Sequence, residues 1–304
     1  MQTTAPGNAT MCKSLPKFKV AACQLMTTED IEFSKNRVIS FLAIAAAQQV
    51  DLVVFPEATL SGYSNRAEFW ATVRPQAFQD AESDIAAACR RLKIAAVVGS
   101  AYQGPDGWIN GLAIFEKDGR LLGRYGKIFL GGDSWCTNFA ARIPLMRVAG
   151  ANVCFLICRD VRYPELARLP AALGAEICLI SSCESGLLAE RKMHAYRAMA
   201  ISRAFENGIY VVKANTPADP DNLRRHGSSH GKSVIVNPEG EILQEAGHFE
   251  ECIVSAEIRL GAAHGHTAKR TLIEKTVLNE WYREGLNHVE RIAPADPGIH
   301  DQAS

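Results

Sequence analysis

Short apolar runs alternating with helix-length amphipathic segments restrict the fold of this chain more than any other feature. FKVAACQL (Phe18 to Leu25) is followed by a helical pattern over about Glu29 to Gln49 and then by DLVVFPE, which makes a β-α-β unit. A second helical pattern near Phe78 to Leu92 leads into the strand AAVVGSAY. INGLAIFEKDGRLLGRYGKIFL then reads as a hairpin turning at Asp118-Gly119, a dipeptide suited to positive φ. The same order returns downstream as VCFLIC, the helical YPELARLPAALG interrupted at Pro170, EICLISS, a helix from Leu187 to Phe205 closed by Asn207-Gly208, and IYVVKAN. A hairpin, GKSVIVNPEGEIL, and a last strand, ECIVSAEI, complete it, while residues 131 to 150 carry no assignable pattern. The expectation is an α/β fold of two similar halves in one sheet system, with no linker dividing it.

Composition limits the partners. The chain has 304 residues, 47% of them hydrophobic, enough for a substantial core. Lysine plus arginine equals aspartate plus glutamate at 33 each, so no net field steers it to nucleic acid or a membrane surface. A small molecule or another subunit is the expected partner. Nine cysteines without a C-x-x-C pair fit a reduced, cytoplasmic protein. The opening MQTTAPGNATMCKSLPK has no apolar core of signal-peptide length, and no segment approaches about eighteen uninterrupted apolar residues.

Three reactive side chains stand where strands are expected to end: Glu57 after DLVVFP, Lys127 in GRYGKIFL and Cys158 after VCFLI. Such ends are rigid and face a crevice in α/β proteins. A cysteine attacking a carbonyl carbon needs a group to take its proton and positive charge to favour the anion, roles that glutamate and lysine can fill. Lysine can also hold an oxyanion, with a backbone N–H at Arg159 or Asp160 as a second donor. Taken singly, each of the three has a plainer reading, as a core thiol, a capping carboxylate or a surface amine.

The words FPEATLSGY, GRYGKIFL, CRDVRYPEL, RAFENGIYVVKAN and GKSVIVNPEGEIL, in this order, resemble the nitrilase, or carbon–nitrogen hydrolase, superfamily from about Phe18 to Ile258. The resemblance implies a four-layer α-β-β-α sandwich, a homodimer or higher homo-oligomer, and chemistry that needs no metal or organic cofactor. Carried over by motif, Glu57 is the general base and acid, Lys127 the oxyanion stabiliser and Cys158 the nucleophile, while Arg162 and Glu165 resemble positions that brace the loop. Arg159 and Asp160 after the cysteine are similar to the amidase and carbamoylase branches rather than to true nitrilases. A cofactor-free thiol amidohydrolase releasing ammonia from a small linear amide or N-carbamoyl compound is therefore expected. The alternatives are acyl transfer to an amine, nitrile hydrolysis, and a non-catalytic binding protein on the same fold.

One departure stands out. Many members carry a second glutamate a few residues beyond the lysine, but no glutamate lies between Lys127 and Cys158 here. Asp133 is the candidate to replace it, one methylene shorter. Tyr63, Glu184 and Asn215 join Asp133 as candidate substrate-binding residues, and Trp135, Asn138, Phe139 and His194 lie in or near segments that could line the pocket. Arg142, Arg159 and Arg191 are candidates for a substrate carboxylate. His264-Gly265-His266 has no third ligand at usual spacing, so no metal site is expected. Arg224 to Gly231 reads as a solvated loop, and Cys136 as the one other thiol open to alkylation. The expected divisions are a mobile lead over 1–16, a hydrolase domain over 17–260, and an extension over 261–304 with an interface helix and a disordered tail.

Overall fold

The computed structural model describes residues 17–139 and 141–292. The first half runs β1 (Lys17–Gln24), α1 (Ile31–Ala47), β2 (Leu52–Val54), α2 (Ala67–Thr72), α3 (Pro75–Leu92), β3 (Ala95–Gly104), β4 (Gly107–Phe115) and β5 (Leu121–Gly126). The second runs β6 (Ile143–Val148), β7 (Ala151–Ile157), α4 (Glu165–Ala172), β8 (Ile177–Ser182), α5 (Met193–Phe205), β9 (Tyr210–Asn215), β10 (Val234–Val236), β11 (Ile242–Glu245) and β12 (Cys252–Arg259). After β12 come α6 (His266–Ile273), α7 (Asn279–Leu286) and β13 (Val289–Ile292).

Two mixed sheets result, ordered β12-β1-β2-β3-β4-β5 and β11-β10-β9-β8-β7-β6-β13. Strands β1 to β3 are parallel, as are β7 to β9. Successive side chains of a strand point to opposite faces, and the apolar runs divide accordingly. Val20, Ala22, Leu52 and Val54 meet Phe155, Ile157, Leu179 and Val212 between the sheets. Their neighbours Ala21, Cys23, Val53 and Phe55 pack under α1 and α3. Cys154, Leu156, Cys178 and Ile180 face α4 and α5 in the same way. The architecture is the α-β-β-α sandwich.

Local signals set the helix ends. The side chain of Asp30 accepts the Phe33 N–H at 2.9 Å to start α1, and Pro75 opens α3, where its missing N–H costs nothing. The hairpin turns use one left-handed residue each, Gly119 and Gly240, inside the longer loops Glu116 to Arg120 and Asn237 to Glu241. Asp118 therefore does not form the two-residue turn that its sequence suggested. Helix α4 continues through Pro170 for two more residues, because only one hydrogen bond of a short helix is lost there.

Three features depart from the sequence reading. The unassigned 131–150 stretch contains β6, which forms a hairpin with β7. Strand β12 crosses to the first sheet and pairs antiparallel with all of β1, Lys17 opposite Arg259 through Gln24 opposite Cys252. The extension folds back on its own chain: α6 and α7 pack on α4, and β13 adds a parallel strand beside β6. Its helical pattern is split in two by residues 274–278. The expected lead over 1–16 and the tail beyond 292 lie outside the described residues. Among the described residues no helix is long and apolar enough to cross a membrane.

The fold brings the C-terminal ends of β2, β7, β8 and β9 to one crevice. Ser181 at the end of β8 donates to the Phe55 carbonyl after β2 at 2.7 Å, tying the sheets together there. Beside it, β3 passes so close to the Glu57 backbone that a Cβ on Gly99 would lie 2.2 Å from the Pro56 oxygen and 2.6 Å from the Ala58 nitrogen. Gly99→Ala is expected to lower the unfolding free energy by about 2 kcal/mol or more, read by urea denaturation. Unchanged stability would mean that β3 does not press on this turn.

Candidate active site

The strand β7 ends at Cys158, which adopts φ +46°, a left-handed conformation rare outside glycine, and opens a short 3-10 turn over Cys158–Arg162. Such a residue costs about 1–3 kcal/mol and persists only where its surroundings fix it. Asp160 supplies much of that fixing. Its buried carboxylate accepts the Ile157 N–H at 3.1 Å, the Phe129 N–H at 2.9 Å and the Tyr125 hydroxyl at 2.8 Å. It therefore joins the turn bearing Cys158 to the strand end bearing Lys127. Arg203 on α5 adds two donations to the Val161 carbonyl, at 3.0 and 2.7 Å. Arg162 and Glu165 are both exposed, so the bracing role expected of them falls to Asp160 and Arg203.

Opposite the thiol lies a buried charge cluster. Glu57 is fully buried, and its Oε1 accepts Lys127 Nζ at 2.6 Å and Asn110 Nδ2 at 2.8 Å. Lys127 Nζ also lies 2.8 Å from Asp133 Oδ2. Asp133 is held in turn by the Gly131 N–H at 2.9 Å and by the Tyr63 hydroxyl. The peptide of Cys183 links the two sides: its N–H donates to Glu57 Oε2 at 2.9 Å, and its carbonyl accepts the Cys158 thiol at 3.7 Å.

The electrostatics follow from this burial. Desolvation raises the Glu57 pKa, helped by the Asp133 charge and opposed by Lys127 and the hydrogen bonds from Lys127 and Asn110. Burial also pushes Asp133 up, but the Lys127 charge and the bonds from Lys127, Tyr63 and Gly131 outweigh it and hold the carboxyl below its ordinary value. Burial pulls Lys127 down, yet the negative charges of Glu57 and Asp133 and the hydrogen bond to Asp133 keep its ammonium charged well above the lysine range. Desolvation raises the Cys158 thiol, and the Glu57 charge adds to this against Lys127.

A cavity of about 280 Å³ opens on the thiol, lined by Tyr63, Cys158, Arg159, Glu184 and Lys192 among others. Of the sequence candidates, Glu57, Lys127, Cys158, Asp133, Tyr63, Arg159 and Glu184 are brought together here. The others are not. The amide of Asn215 bonds to the Glu184 N–H, Ser229 and the Gly231 carbonyl behind the cavity wall. Trp135 stacks on Trp70 at 4.0 Å, Asn138 donates to the Ile128 carbonyl, and Phe139 packs edge-on to Tyr125. Arg142 donates to the Asn287 carbonyl, while Arg191 and His194 line other depressions. The loop expected to be solvated is buried over Ser229 and His230, where His230 stacks on Tyr196.

Sequence reasoning missed Asn110, the Asp160 side chain and the Cys183 peptide. Asn110 was findable as a polar residue inside the apolar run INGLAIF; the peptide left no signal. Among the described residues no group of three histidines, cysteines or acids could hold a metal ion.

Residues 19–265 match the model of the carbon-nitrogen hydrolase family. The chain belongs to that family. It is 31% identical over 215 residues to a Pseudomonas protegens protein described as a hydrolase in the pqqF 5' region, spanning 68% of this chain and 72% of that one. It is 28% identical to the human omega-amidase over 265 residues, 81% of this chain and 90% of the relative. An amidase from Nesterenkonia sp. superposes with a TM-score of 0.70 at 25% identity, covering 81% of this chain and 92% of its own. With these amidases as relatives, this carbon-nitrogen hydrolase acts on C–N bonds other than peptide bonds.

The raised thiol makes a kinetic prediction. Cys158 should react with iodoacetamide at a rate that climbs with pH, with a midpoint above that of an ordinary thiol. Cys136, whose thiol burial pushes up to about 12, should lag behind it because the cavity does not reach it. Peptide mass mapping across a pH series reads both, and a Cys158 rate already at its plateau at neutral pH would contradict the site's electrostatics.

Proposed function

We propose that this chain is a thiol amidohydrolase that cleaves a small linear amide or N-carbamoyl compound and releases ammonia, with no cofactor of its own. The observation carrying this reading is the Cys183 peptide, which holds Glu57 by its N–H and the Cys158 thiol by its carbonyl. Acid, base and nucleophile are thereby fixed around one cavity.

The reaction starts from the neutral thiol. As Cys158 Sγ bonds to the substrate carbon, its proton passes to Glu57, and the carbonyl π electrons move onto oxygen. The resulting oxyanion is met by Lys127, whose ammonium has three donors, two of them used by Glu57 and Asp133. The backbone N–H of Arg159, at the start of a turn and without an earlier carbonyl in reach of its helical pattern, is the second donor. The C–N bond then breaks as Glu57 gives its proton to the nitrogen, which leaves as ammonia. Water attacks the thioester, losing a proton to Glu57, and that proton returns to the departing Cys158 sulfur. A base that must accept and return a proton twice benefits from a raised pKa, the direction found for Glu57.

Asp133 takes the place of the second glutamate of other members. Its shorter side chain reaches Lys127 because Gly131 and Tyr63 pull it inward.

Ammonia release from a panel of amides, N-carbamoyl amino acids and nitriles tests the reading. Release should vanish in Cys158→Ala and fall about 10²–10³-fold in Lys127→Met, as expected for loss of an oxyanion donor. Release surviving in Cys158→Ala, or no release from any compound, would overturn it.

A further inference from the structure

Glu184 follows β8 into the cavity wall and is only 6% exposed. Its Oε2 takes Lys213 Nζ at 2.7 Å and faces His230 Nε2 at 3.3 Å. Lys213 is itself buried, with its ammonium over the Tyr196 ring at 5.9 Å. The Glu184 N–H is fixed by Asn215 at 3.2 Å. One carboxylate oxygen and the backbone are thus anchored from behind.

The other oxygen is not. Among the described residues no protein donor reaches Glu184 Oε1, and the side chain is only 2% exposed. Glu184 lines the cavity that also exposes Cys158, and its charge bears on that thiol. Hydrogen-bond acceptors in such a position cost binding energy when the ligand offers no donor.

The rest of the rim has the opposite character. Arg159, Arg162 and Lys192 line the same cavity, and none forms an ion pair with a described carboxylate. Lys192 Nζ donates to the Ser185 hydroxyl at 3.1 Å. Their fixed charges suit a carboxylate. The volume, about 280 Å³, is at the small end for ligand pockets.

Resting on the amidohydrolase reading, we propose that Glu184 is a specificity-determining residue. It requires an N–H donor on the substrate besides the scissile amide, while the basic rim takes a carboxylate. The substrate is then an amino-acid derivative: a free amino acid with a side-chain carboxamide, or an N-carbamoyl amino acid, whose ureido N–H offers the same donor.

Calorimetric binding to the Cys158→Ala protein tests this without turnover. The probes are L-glutamine, N-carbamoyl-β-alanine, glutaramate, which keeps carboxylate and amide but lacks the further N–H, and pentanamide, which lacks both. At least one of the first two should bind about tenfold or more tighter than glutaramate, and pentanamide should be weakest. Glu184→Gln on this background should erase the gap between that probe and glutaramate while leaving glutaramate within a few-fold. Lys192→Met should weaken the carboxylates and spare pentanamide. Glutaramate binding as tightly as the N–H donors, or a Glu184→Gln change that lowers all four equally, would overturn the proposal; if that variant does not fold, the ranking on Cys158→Ala alone decides. Ammonia release by the native protein separates the two readings. Selective binding with no release from any probe would sink hydrolysis and keep this proposal, and equal kcat/KM on all four would do the reverse.

Discussion

An ammonium held between two buried carboxylates organises this molecule. Lys127, 1% exposed, reaches Glu57 and Asp133 at 2.6 and 2.8 Å, and neither carboxylate side chain has any exposed surface. Charges so far from water are tolerable only when paired and hydrogen-bonded on every side, and removing one partner of such a set is typically worth about 3–5 kcal/mol. The sandwich supplies the partners from separate elements: Asn110 from β4, the Cys183 N–H after β8, and Tyr63 with Gly131 from loops. Two sheets must meet face to face for these to converge, so the cluster and the fold depend on each other.

The cluster also sets the state of the Cys158 thiol. With Glu57 and Asp133 both facing Lys127, the cation's charge is already balanced, and little is left to draw a proton off Cys158. Its thiol is raised by burial and by the Glu57 charge, and it donates to the Cys183 carbonyl. In the proposed mechanism, activation then belongs to the moment of attack, when Glu57 takes the proton, rather than to a standing thiolate. The strained φ of Cys158 turns the thiol out of β7 toward the cavity, and Asp160 with Arg203 holds that strain.

Much of this was legible in the sequence, because apolar runs of period two and helix-length patterns alternate in a fixed order. The β-α-β units, the two hairpins and the ends carrying Glu57, Lys127 and Cys158 follow from local pattern and from motif resemblance. What escaped was set by distant partners. Strand β12 looks like any strand, and only its pairing with β1 takes it to the other sheet. β13 is four residues whose pairing with β6 decides its state. Asp160 was read for its backbone, since nothing local tells that its carboxylate reaches Tyr125 and Phe129. Asp133 was named from the missing glutamate, but its contact with Lys127 needed the turn at Gly131. Asn215 was placed in the pocket from its position at a strand end, and the neighbouring loop claimed its amide instead.

The covalent step is the claim on which the account stands, and acid-quenched mass spectrometry of the native protein with a turned-over amide reads it directly. The account predicts an adduct of the substrate's acyl mass on the peptide containing Cys158, released by hydroxylamine as a thioester should be. Ammonia production with no adduct at any quench time, or an acyl group on another residue, would contradict it.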